Sequence, residues 1–150
     1  MRGLQITALI CTRNEEENLV HILPKIPQMV SEVILVDAHS TDKTVEVAKK
    51  LRPDIKVVYQ PYKGKGDALK YGFKQATGEI IVALDADGAT NPDEMDKFIT
   101  PLTQGYDFVK GSRFMNGRPS NMPVIRWFGN RILTVATNVL FGTHYTDVCS

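Results

Sequence analysis

Residues 79–87 read EIIVALDAD: after Glu79, the apolar run of residues 80–84 is followed by two aspartates that are separated by one alanine. An uninterrupted run of Ile, Val, Ala and Leu is typical of a strand that is buried on both faces of a sheet. Similar runs occur at residues 5–11 (QITALIC) and 32–36 (EVILV), and helical patterns separate the three. Because parallel strands need long crossovers, this alternation predicts an α/β fold with a doubly wound, mostly parallel sheet flanked by helices.

The rest of the chain fits the same alternation. Helical patterns cover residues 15–29, 41–51, 66–76 and 92–102, and short strands are predicted at residues 56–59 and 106–110. Pro24 and Pro27 loosen the first of these helices, because proline has no backbone N–H. Residues 124–141 place apolar side chains near helical spacing with two arginines among them, which predicts a C-terminal amphipathic helix.

Length and composition narrow the class of protein. The chain has 150 residues, of which 43% are hydrophobic and 23% charged, and its net charge is +1. One domain with its own core fits these values, and the balanced charge argues against a surface devoted to nucleic acid. Two cysteines cannot supply a disulfide framework or a four-cysteine zinc site. Because neither a signal-peptide pattern nor an apolar run of about 18 residues is present, we expect a cytoplasmic location.

Unusual polar residues follow the predicted strands. The four segments are residues 12–15 (TRNE), 37–42 (DAHSTD), 63–67 (KGKGD) and 85–88 (DADG). In open α/β sheets, ligands bind outside the carboxyl ends of the strands. The coincidence of these segments at one end of the sheet predicts a single ligand site.

Asp85 and Asp87 form the most informative pair. In an extended segment, positions i and i+2 point to the same side, and two carboxylates there repel each other unless a cation lies between them. Mg²⁺ or Mn²⁺ is the expected ion, because hard cations bind carboxylates and still share phosphate oxygens. The alternative is that Asp87 and Gly88 form a turn and Asp85 a local cap, and we favour the metal site over it.

Two other segments suit a nucleotide. Residues 63–66 (KGKG) open a predicted helix, where glycines let backbone N–H groups approach an anion and lysine supplies a positive charge. A flexible basic turn explains that segment equally well. Asp37, at a strand end, can accept a hydrogen bond from a base or a ribose hydroxyl, and Ser40 or Thr41 can cap the next helix.

Arginines and aromatic residues mark the C-terminal region. Arg113 and Arg126 offer guanidinium groups that suit phosphate, and Trp127 and Phe128 lie next to Arg126 in the chain. A lipid phosphate at a membrane surface is one interpretation. An ordinary packed helix whose arginines extend to water is the commoner arrangement.

Taken together, these motifs resemble the family 2 glycosyltransferases of the GT-A fold. The resemblance covers almost the whole chain and rests on residues 10–15 (ICTRNE), 36–42 (VDAHSTD), 64–66 (GKG), 85–87 (DAD) and 111–113 (GSR). Within that family the chain is similar to the polyprenol (dolichol) phosphate mannosyl- and glucosyltransferases. The resemblance implies inverting, metal-assisted transfer of a sugar from a UDP- or GDP-linked donor to a polyprenyl or dolichyl phosphate.

The resemblance also implies roles for individual residues. Asp85 and Asp87 would act in catalysis and bind Mg²⁺ or Mn²⁺. The acceptor phosphate would contact Arg113, Arg126 and Asn130. The nucleotide sugar would contact a larger set of residues at the strand ends: Cys11, Arg13, Asn14, Glu15, Val36, Asp37, Ala38, Lys65, Asp85, Ala86 and Asp87.

At the level of the whole chain, the resemblance implies that residues 1–150 form a catalytic domain that is truncated at its C-terminus. Residues 1–112 would bind the nucleotide sugar, and residues 113–150 would form an acceptor and membrane-interface segment at the cytoplasmic face of a membrane. No nucleic-acid partner is expected. Three alternatives stay open: transfer to a saccharide hydroxyl in cell-wall or polysaccharide synthesis, a sugar nucleotidyltransferase, and a non-catalytic module that binds a nucleotide sugar.

Overall fold

The computed structural model describes residues 3–88, 90–112, 114 and 123–148. The strands are β1 (Ile6–Thr12), β2 (Glu32–Asp37), β3 (Lys56–Tyr59) and β4 (Ile80–Asp85). The helices are α1 (Glu16–Ile22), α2 (Thr44–Leu51), α3 (Lys65–Gln75), α4 (Met95–Thr103) and α5 (Val124–Phe141). Neighbouring strands pair in parallel in the order β3-β2-β1-β4, which confirms the predicted parallel α/β sheet.

Helices cover both faces of the sheet because side chains alternate along each strand. In β1, Ile6, Ala8 and Ile10 point into the larger core, which α1, α2 and α4 cover. Leu9 points the other way and packs with Val36 in a smaller core beneath α3. These side chains are at most 2% exposed, and burial of such apolar surface contributes about 25 cal/mol per Å².

The direction in which the sheet grows reverses between β1 and β4. The chain leaves β3 on one side of the sheet, and α3 carries it over β2 and β1 to β4 on the other side. In sheets of this topology, the carboxyl ends of the two strands at the reversal flank a ligand-binding crevice. The register places Cys11 beside Asp85 and Thr12 beside Asp37 at this end.

Two predicted elements differ in the structure. Residues 106–110 form no strand, since none of the described strands pairs with them, and Tyr106 and Phe108 are each 64% exposed. A β-prone sequence gains little without a partner for its backbone and a surface for its side chains. The helix predicted over residues 15–29 ends at Ile22, because Pro24 lies in a 3-10 turn, Leu23–Lys25, and cannot continue the helical hydrogen bonds.

The chain divides into two compact units, Met1–Gly105 and Tyr106–Ser150. The first contains the sheet with α1 to α4, and the second contains α5, whose bounds match the predicted residues 124–141. Gly142 ends α5 in a left-handed conformation with a φ of 63°, which glycine adopts readily. No helix in the described part of the chain is long and apolar enough to cross a membrane. The functional boundary between residues 112 and 113 stays a prediction.

Candidate functional site

The end of β4 supplies the two predicted metal ligands. Asp85 is the last residue of the strand, and its side chain is 35% exposed. Ala86 packs into the larger core at 3% exposure, and Asp87 is exposed just beyond it. Because Ala86 points inward, the carboxylates on either side of it lie at the surface of the carboxyl end of the sheet.

The start of α3 brings a cation to the same place. Lys65 is the first residue of the helix and follows Gly64, whose φ of 94° favours glycine. The Nζ atom of Lys65 lies 2.5 Å from Oδ1 of Asp85. The basic segment at residues 63–66 therefore contacts the end of β4, where the metal site is predicted.

Cys11 completes this part of the site from β1. It lies beside Asp85 in the register of the sheet and is half-buried. Burial raises the pKa of the Cys11 thiol to about 11, with Lys65 lowering it and Asp85 raising it further. The thiol is therefore protonated at neutral pH, which makes Cys11 a poor nucleophile.

Asp37 uses its carboxylate within the protein. It is 1% exposed and accepts hydrogen bonds from the amide (2.9 Å) and the hydroxyl (2.5 Å) of Ser40. Thr12 Oγ1 donates to the same carboxylate at 3.4 Å. Next to it, Val36 is fully buried, and the half-buried Ala38 donates its amide to the carbonyl of Thr12 at 2.9 Å. These bonds hold the loop after β2 in a fixed shape at the end of the sheet.

Residues of the loop after β2 cap the start of α1. The amide of Glu15 donates to Oγ1 of Thr44 at 2.8 Å, and the amide of Glu16 donates to Oδ2 of Asp42 at 3.2 Å. The first amides of a helix have no partner within the helix, so these bonds satisfy groups that would otherwise need water. The carboxylate of Glu15 is turned toward α1, where Asn18 Nδ2 donates to it at 2.7 Å.

The loop after β1 returns the same support. Oδ1 of Asn14 accepts from the amide of Thr41 at 2.8 Å, and Oε2 of Glu16 accepts from the amide of Lys43 at 2.8 Å. Asn14 itself has a φ of 57°, a conformation in which asparagine is enriched. We call this set of bonds, whose side-chain acceptors are Asn14, Glu16, Asp42 and Thr44, the reciprocal cap. Arg13 is exposed beside it.

The reciprocal cap predicts a loss of stability in acid. Burial raises the pKa of the Asp42 carboxyl, but bonds from the hydroxyl and amide of Thr44 and the amide of Glu16 outweigh it, so the pKa lies below its usual 3.8. A lowered folded-state pKa gives stability that is present above the unfolded-state pKa and lost as the pH falls through the folded value. We expect the thermal unfolding midpoint to fall below about pH 4 and Asp42→Asn to flatten that fall.

Differential scanning calorimetry between about pH 3 and pH 7 measures this effect. Glu46→Gln, a change at an exposed carboxyl on α2, is the matched control and should leave the acid profile as in the wild type. Identical profiles for Asp42→Asn and the wild type would contradict the prediction.

Comparison with known proteins gives the family. The model of glycosyl transferase family 2 matches residues 7–147. The chain belongs to this family. It is 31% identical over 147 residues to the glycosyltransferase AglJ of Haloferax volcanii, covering 97% of this chain and 48% of that protein. It is 33% identical over 131 residues to the dolichol-phosphate mannosyltransferase of Pyrococcus furiosus, covering 82% and 37%. This family 2 glycosyltransferase therefore spans half or less of those relatives.

Solved structures share the fold of this family 2 glycosyltransferase. One is glucosyl-3-phosphoglycerate synthase from Mycobacterium tuberculosis in complex with Mn²⁺, UDP and glucosyl-3-phosphoglycerate. It matches with a TM-score of 0.57 and 27% identity, covering 69% of this chain and 41% of that one. Mannosyl-3-phosphoglycerate synthase from Rubrobacter xylanophilus matches with a TM-score of 0.61 at 23% identity, covering 69% and 37%. The GT-A-like class of the fold is thereby confirmed.

The metal-ligating atoms available at the candidate site fit a divalent cation that binds together with a phosphate. Asp85 and Asp87 offer carboxylate oxygens, the ligands that Mg²⁺ and Mn²⁺ prefer. Across residues 3–88, 90–112, 114 and 123–148, no group of three or more His, Cys, Asp or Glu could hold an ion alone.

The predicted acceptor residues fall in the second unit. Arg126 is exposed on α5, whereas Asn130 is 4% exposed. Nδ2 of Asn130 donates to Oδ1 of the buried Asp147 at 2.7 Å, and Thr134 Oγ1 donates to Oδ1 of Asn130 at 3.3 Å. The Asn130 carboxamide therefore has partners inside the unit, and Asp147 is a partner that the sequence analysis missed. Arg113 lies outside the described residues.

Gln60 is a further residue that supports the loops at this end of the sheet and was not among the predicted site residues. It is 5% exposed, its amide donates to the carbonyl of Asp37 at 3.1 Å, and its Nε2 donates to the carbonyl of Tyr62 at 2.6 Å. The His39 ring stacks on Tyr59 with centroids 5.8 Å apart, and its Nε2 lies 3.0 Å from the Gln60 carbonyl oxygen. A polar residue directly after a strand was the available signal for Gln60.

Proposed function

We propose that this glycosyltransferase moves a sugar from a UDP- or GDP-linked donor to a polyprenyl or dolichyl phosphate, with a divalent cation and with inversion. The observation that carries the proposal is the contact of Asp85 with Lys65 at the carboxyl ends of β1 and β4, beside Asp87. A diphosphate needs a cation held by carboxylates and further positive groups around its oxygens. Two relatives are named as dolichyl-phosphate enzymes, from Pyrococcus furiosus and Methanococcus voltae, which supports this acceptor class.

The start of α3 would bind the donor diphosphate. Lys65 supplies a positive charge, and the first amides of the helix point toward an anion at its N-terminus. A Cβ atom built at Gly66 would meet nothing within 4 Å, so packing inside the protein does not require glycine there. Open space beside helix amides lets an anion approach the backbone closely.

The base and ribose would lie along the loops after β1 and β2. The bonds of Asp37 and the reciprocal cap fix the shape of these loops before a ligand arrives, which reduces the entropy lost on binding. The residues proposed to contact the nucleotide sugar at the ends of β1 and β2 are Cys11, Arg13, Asn14, Glu15, Val36, Asp37 and Ala38, and Ala86 is proposed to contact it after β4. Val36, Asp37 and Ala86, whose side chains are buried, would contribute backbone groups.

Asp85 and Asp87 would hold the cation against the donor. When bound there, Mg²⁺ or Mn²⁺ supplies charge neutralisation of the leaving diphosphate. A phosphate acceptor is already an anion, so the chain needs to position it rather than deprotonate it. Arg126, with Arg113, is proposed for that role, since one guanidinium group can donate two parallel hydrogen bonds to a phosphate. Attack on the face opposite the diphosphate gives inversion.

Gly66→Ala separates binding from folding. Alanine is favoured over glycine in a helix by up to about 1 kcal/mol, and the added Cβ has open space, so we expect an unchanged or higher unfolding midpoint. The same methyl group narrows the approach to the α3 amides, so we expect donor affinity in Mn²⁺ to fall about tenfold. Thermal unfolding and titration calorimetry measure the two effects. Unchanged donor affinity would argue against a diphosphate at this helix start.

Helix α5 supports an acceptor at a membrane surface. Ile125, Phe128 and Val139 are 58–84% exposed, and Arg126 and Arg131 are exposed on the same helix. Exposed apolar side chains together with arginines favour binding to anionic lipid headgroups. We propose that the protein lies peripherally at the cytoplasmic face of a membrane.

Vesicle flotation tests the membrane proposal. We expect the chain to float with vesicles that contain anionic lipid, and the double variant Phe128→Asp, Val139→Asp to lose most of the bound fraction. Phe73→Asp, a change at an exposed aromatic residue of α3, is the matched control and should float as the wild type does. Equal flotation of all three proteins would contradict a role for α5.

Titration calorimetry with UDP and GDP, each with Mn²⁺ or EDTA, tests the donor site directly. Metal-dependent binding of one nucleotide supports the proposal, and its absence for both would overturn it. Product analysis with dolichyl phosphate, undecaprenyl phosphate and a saccharide as acceptors tests the reaction. Transfer to the saccharide alone would favour the hydroxyl acceptor, and pyrophosphate release from a nucleoside triphosphate and a sugar phosphate would favour a nucleotidyltransferase.

A further inference from the structure

We propose that Lys65 is an exchangeable counter-ion of the metal site. Its ammonium pairs with Asp85 while no cation is bound, and it transfers to the donor diphosphate when a cation takes Asp85. The inference rests on the proposed function and adds a property to it: one side chain makes the binding of metal and the binding of donor depend on each other.

Lys65 already occupies one of the two Asp85 oxygens that a cation could bind. Nζ of Lys65 lies 2.5 Å from Oδ1 of Asp85, at the distance of a direct hydrogen bond. A Mg²⁺ ion binds a carboxylate oxygen at about 2.0–2.1 Å, so both groups on Oδ1 would bring like charges within a few ångströms of each other.

The lysine side chain is free to move while the helix stays in place. The side chain of Lys65 is 60% exposed. An ion pair this exposed stabilises its paired form over its separated form by less than about fivefold. Cβ atoms built at Gly64 and Gly66 would meet nothing within 4 Å, so the stem has room on both sides. Further along α3, Gly72 packs so closely on the sheet that a Cβ there would lie 2.4 Å from Leu9 Cδ1. The exchange therefore involves the side chain alone.

The diphosphate gives the displaced ammonium a new partner. A metal ion that arrives alone leaves Lys65 unpaired beside a divalent charge, which weakens its binding. A metal ion that arrives with a diphosphate leaves Lys65 next to phosphate oxygens at the start of α3, where an anion is favoured. Metal and donor therefore bind with positive coupling, and the coupling factor is the same in both directions.

The test compares three variants with the wild type. Lys65→Met removes the charge and keeps an unbranched apolar stem, whereas Lys65→Arg keeps the charge. Lys63→Met removes the same charge from an exposed position two residues earlier and controls for the general field of the loop. Electron paramagnetic resonance of free Mn²⁺ measures metal affinity, first without nucleotide and then with saturating UDP or GDP. Thermal unfolding checks that each variant folds.

We expect Lys65→Met to bind Mn²⁺ alone about 3- to 10-fold more tightly than the wild type, because a competitor and a like charge are gone. Lys65→Arg and Lys63→Met should stay within about twofold of the wild type. In each protein, the ratio of Mn²⁺ affinity with nucleotide to Mn²⁺ affinity without it measures the coupling. We expect this ratio to be smaller in Lys65→Met than in the wild type by about fivefold or more.

Two results would overturn the inference. If Mn²⁺ alone binds Lys65→Met no more tightly than the wild type, or binds neither measurably, Lys65 does not compete for Asp85. The proposed function then survives as long as the wild type binds UDP or GDP in a Mn²⁺-dependent way. If the wild type shows no such binding, the proposed function fails, and the counter-ion role fails with it.

Discussion

We expect Asp87→Ala to bind UDP or GDP with the same weak affinity in Mn²⁺ and in EDTA. The substitution leaves Asp85 as the remaining carboxylate of the pair, and one carboxylate holds a cation and a diphosphate together poorly. Turnover should fall about 10²- to 10³-fold, the size of effect seen when a group that stabilises a leaving oxyanion is removed. Asp87 is exposed, so the change removes no core packing.

Asp93→Ala is the matched control for this experiment. Asp93 is an exposed aspartate in the 3-10 turn Pro92–Glu94, a few residues further along the same loop. Its removal should leave both the Mn²⁺ dependence and the turnover close to those of the wild type. If Asp87→Ala keeps the full Mn²⁺ dependence, Asp87 is not a metal ligand, and the metal site as proposed is wrong.

Gly78→Ala should destabilise the fold, because the added Cβ has no space at the start of β1. A Cβ atom at Gly78 would lie 2.7 Å from the amide nitrogen of Thr7 and 2.9 Å from the carbonyl oxygen of Gln5. Both atoms belong to the backbone, so the start of β1 itself would have to shift. The amide of Gly78 also donates to Thr7 Oγ1 at 3.0 Å, and that bond would be distorted. Overpacking of this kind costs about 1–3 kcal/mol.

Thermal unfolding measures this loss as a midpoint lower by about 2–12 °C, given about 2–4 °C per kcal/mol for a chain of this size. Gly66→Ala makes the same chemical change in open space and serves as the control, with an unchanged or raised midpoint. Because Gly78 lies at the amino end of the sheet, donor affinity of the folded Gly78→Ala protein should match the wild type. An unchanged midpoint for Gly78→Ala would show that β1 shifts without loss.

The place of the site could be predicted because it follows from a simple periodicity. An apolar run over residues 79–84 predicts a buried strand, and β4 spans Ile80–Asp85. In a parallel sheet, whatever follows the strands gathers at one end, so Asp85 and the loops after β1 and β2 come together. The pairing of Lys65 with Asp85 was harder to predict, since it depends on β4 lying beside β1 rather than beside β3.

The hydrogen bonds of the loops could not be predicted from local patterns. Asn14 suits a cap of the helix that follows it, yet its side chain accepts from Thr41, 27 residues away. That bond exists because the register aligns Thr12 with Asp37, and this register cannot be predicted from the residues next to Asn14. Asn130 likewise turns inward because the buried carboxylate of Asp147 needs a donor, a requirement visible only once both are folded.

The reciprocal cap has a consequence for any exchange of these loops by engineering. Each of the two loops supplies acceptors for amides of the other, so a loop transplanted alone from another member of the family would arrive with mismatched partners. Chimeras that exchange residues 13–16 together with residues 40–44 preserve the match, whereas single-loop grafts leave helix amides unsatisfied. The two segments therefore have to be exchanged together if these hydrogen bonds are to be kept.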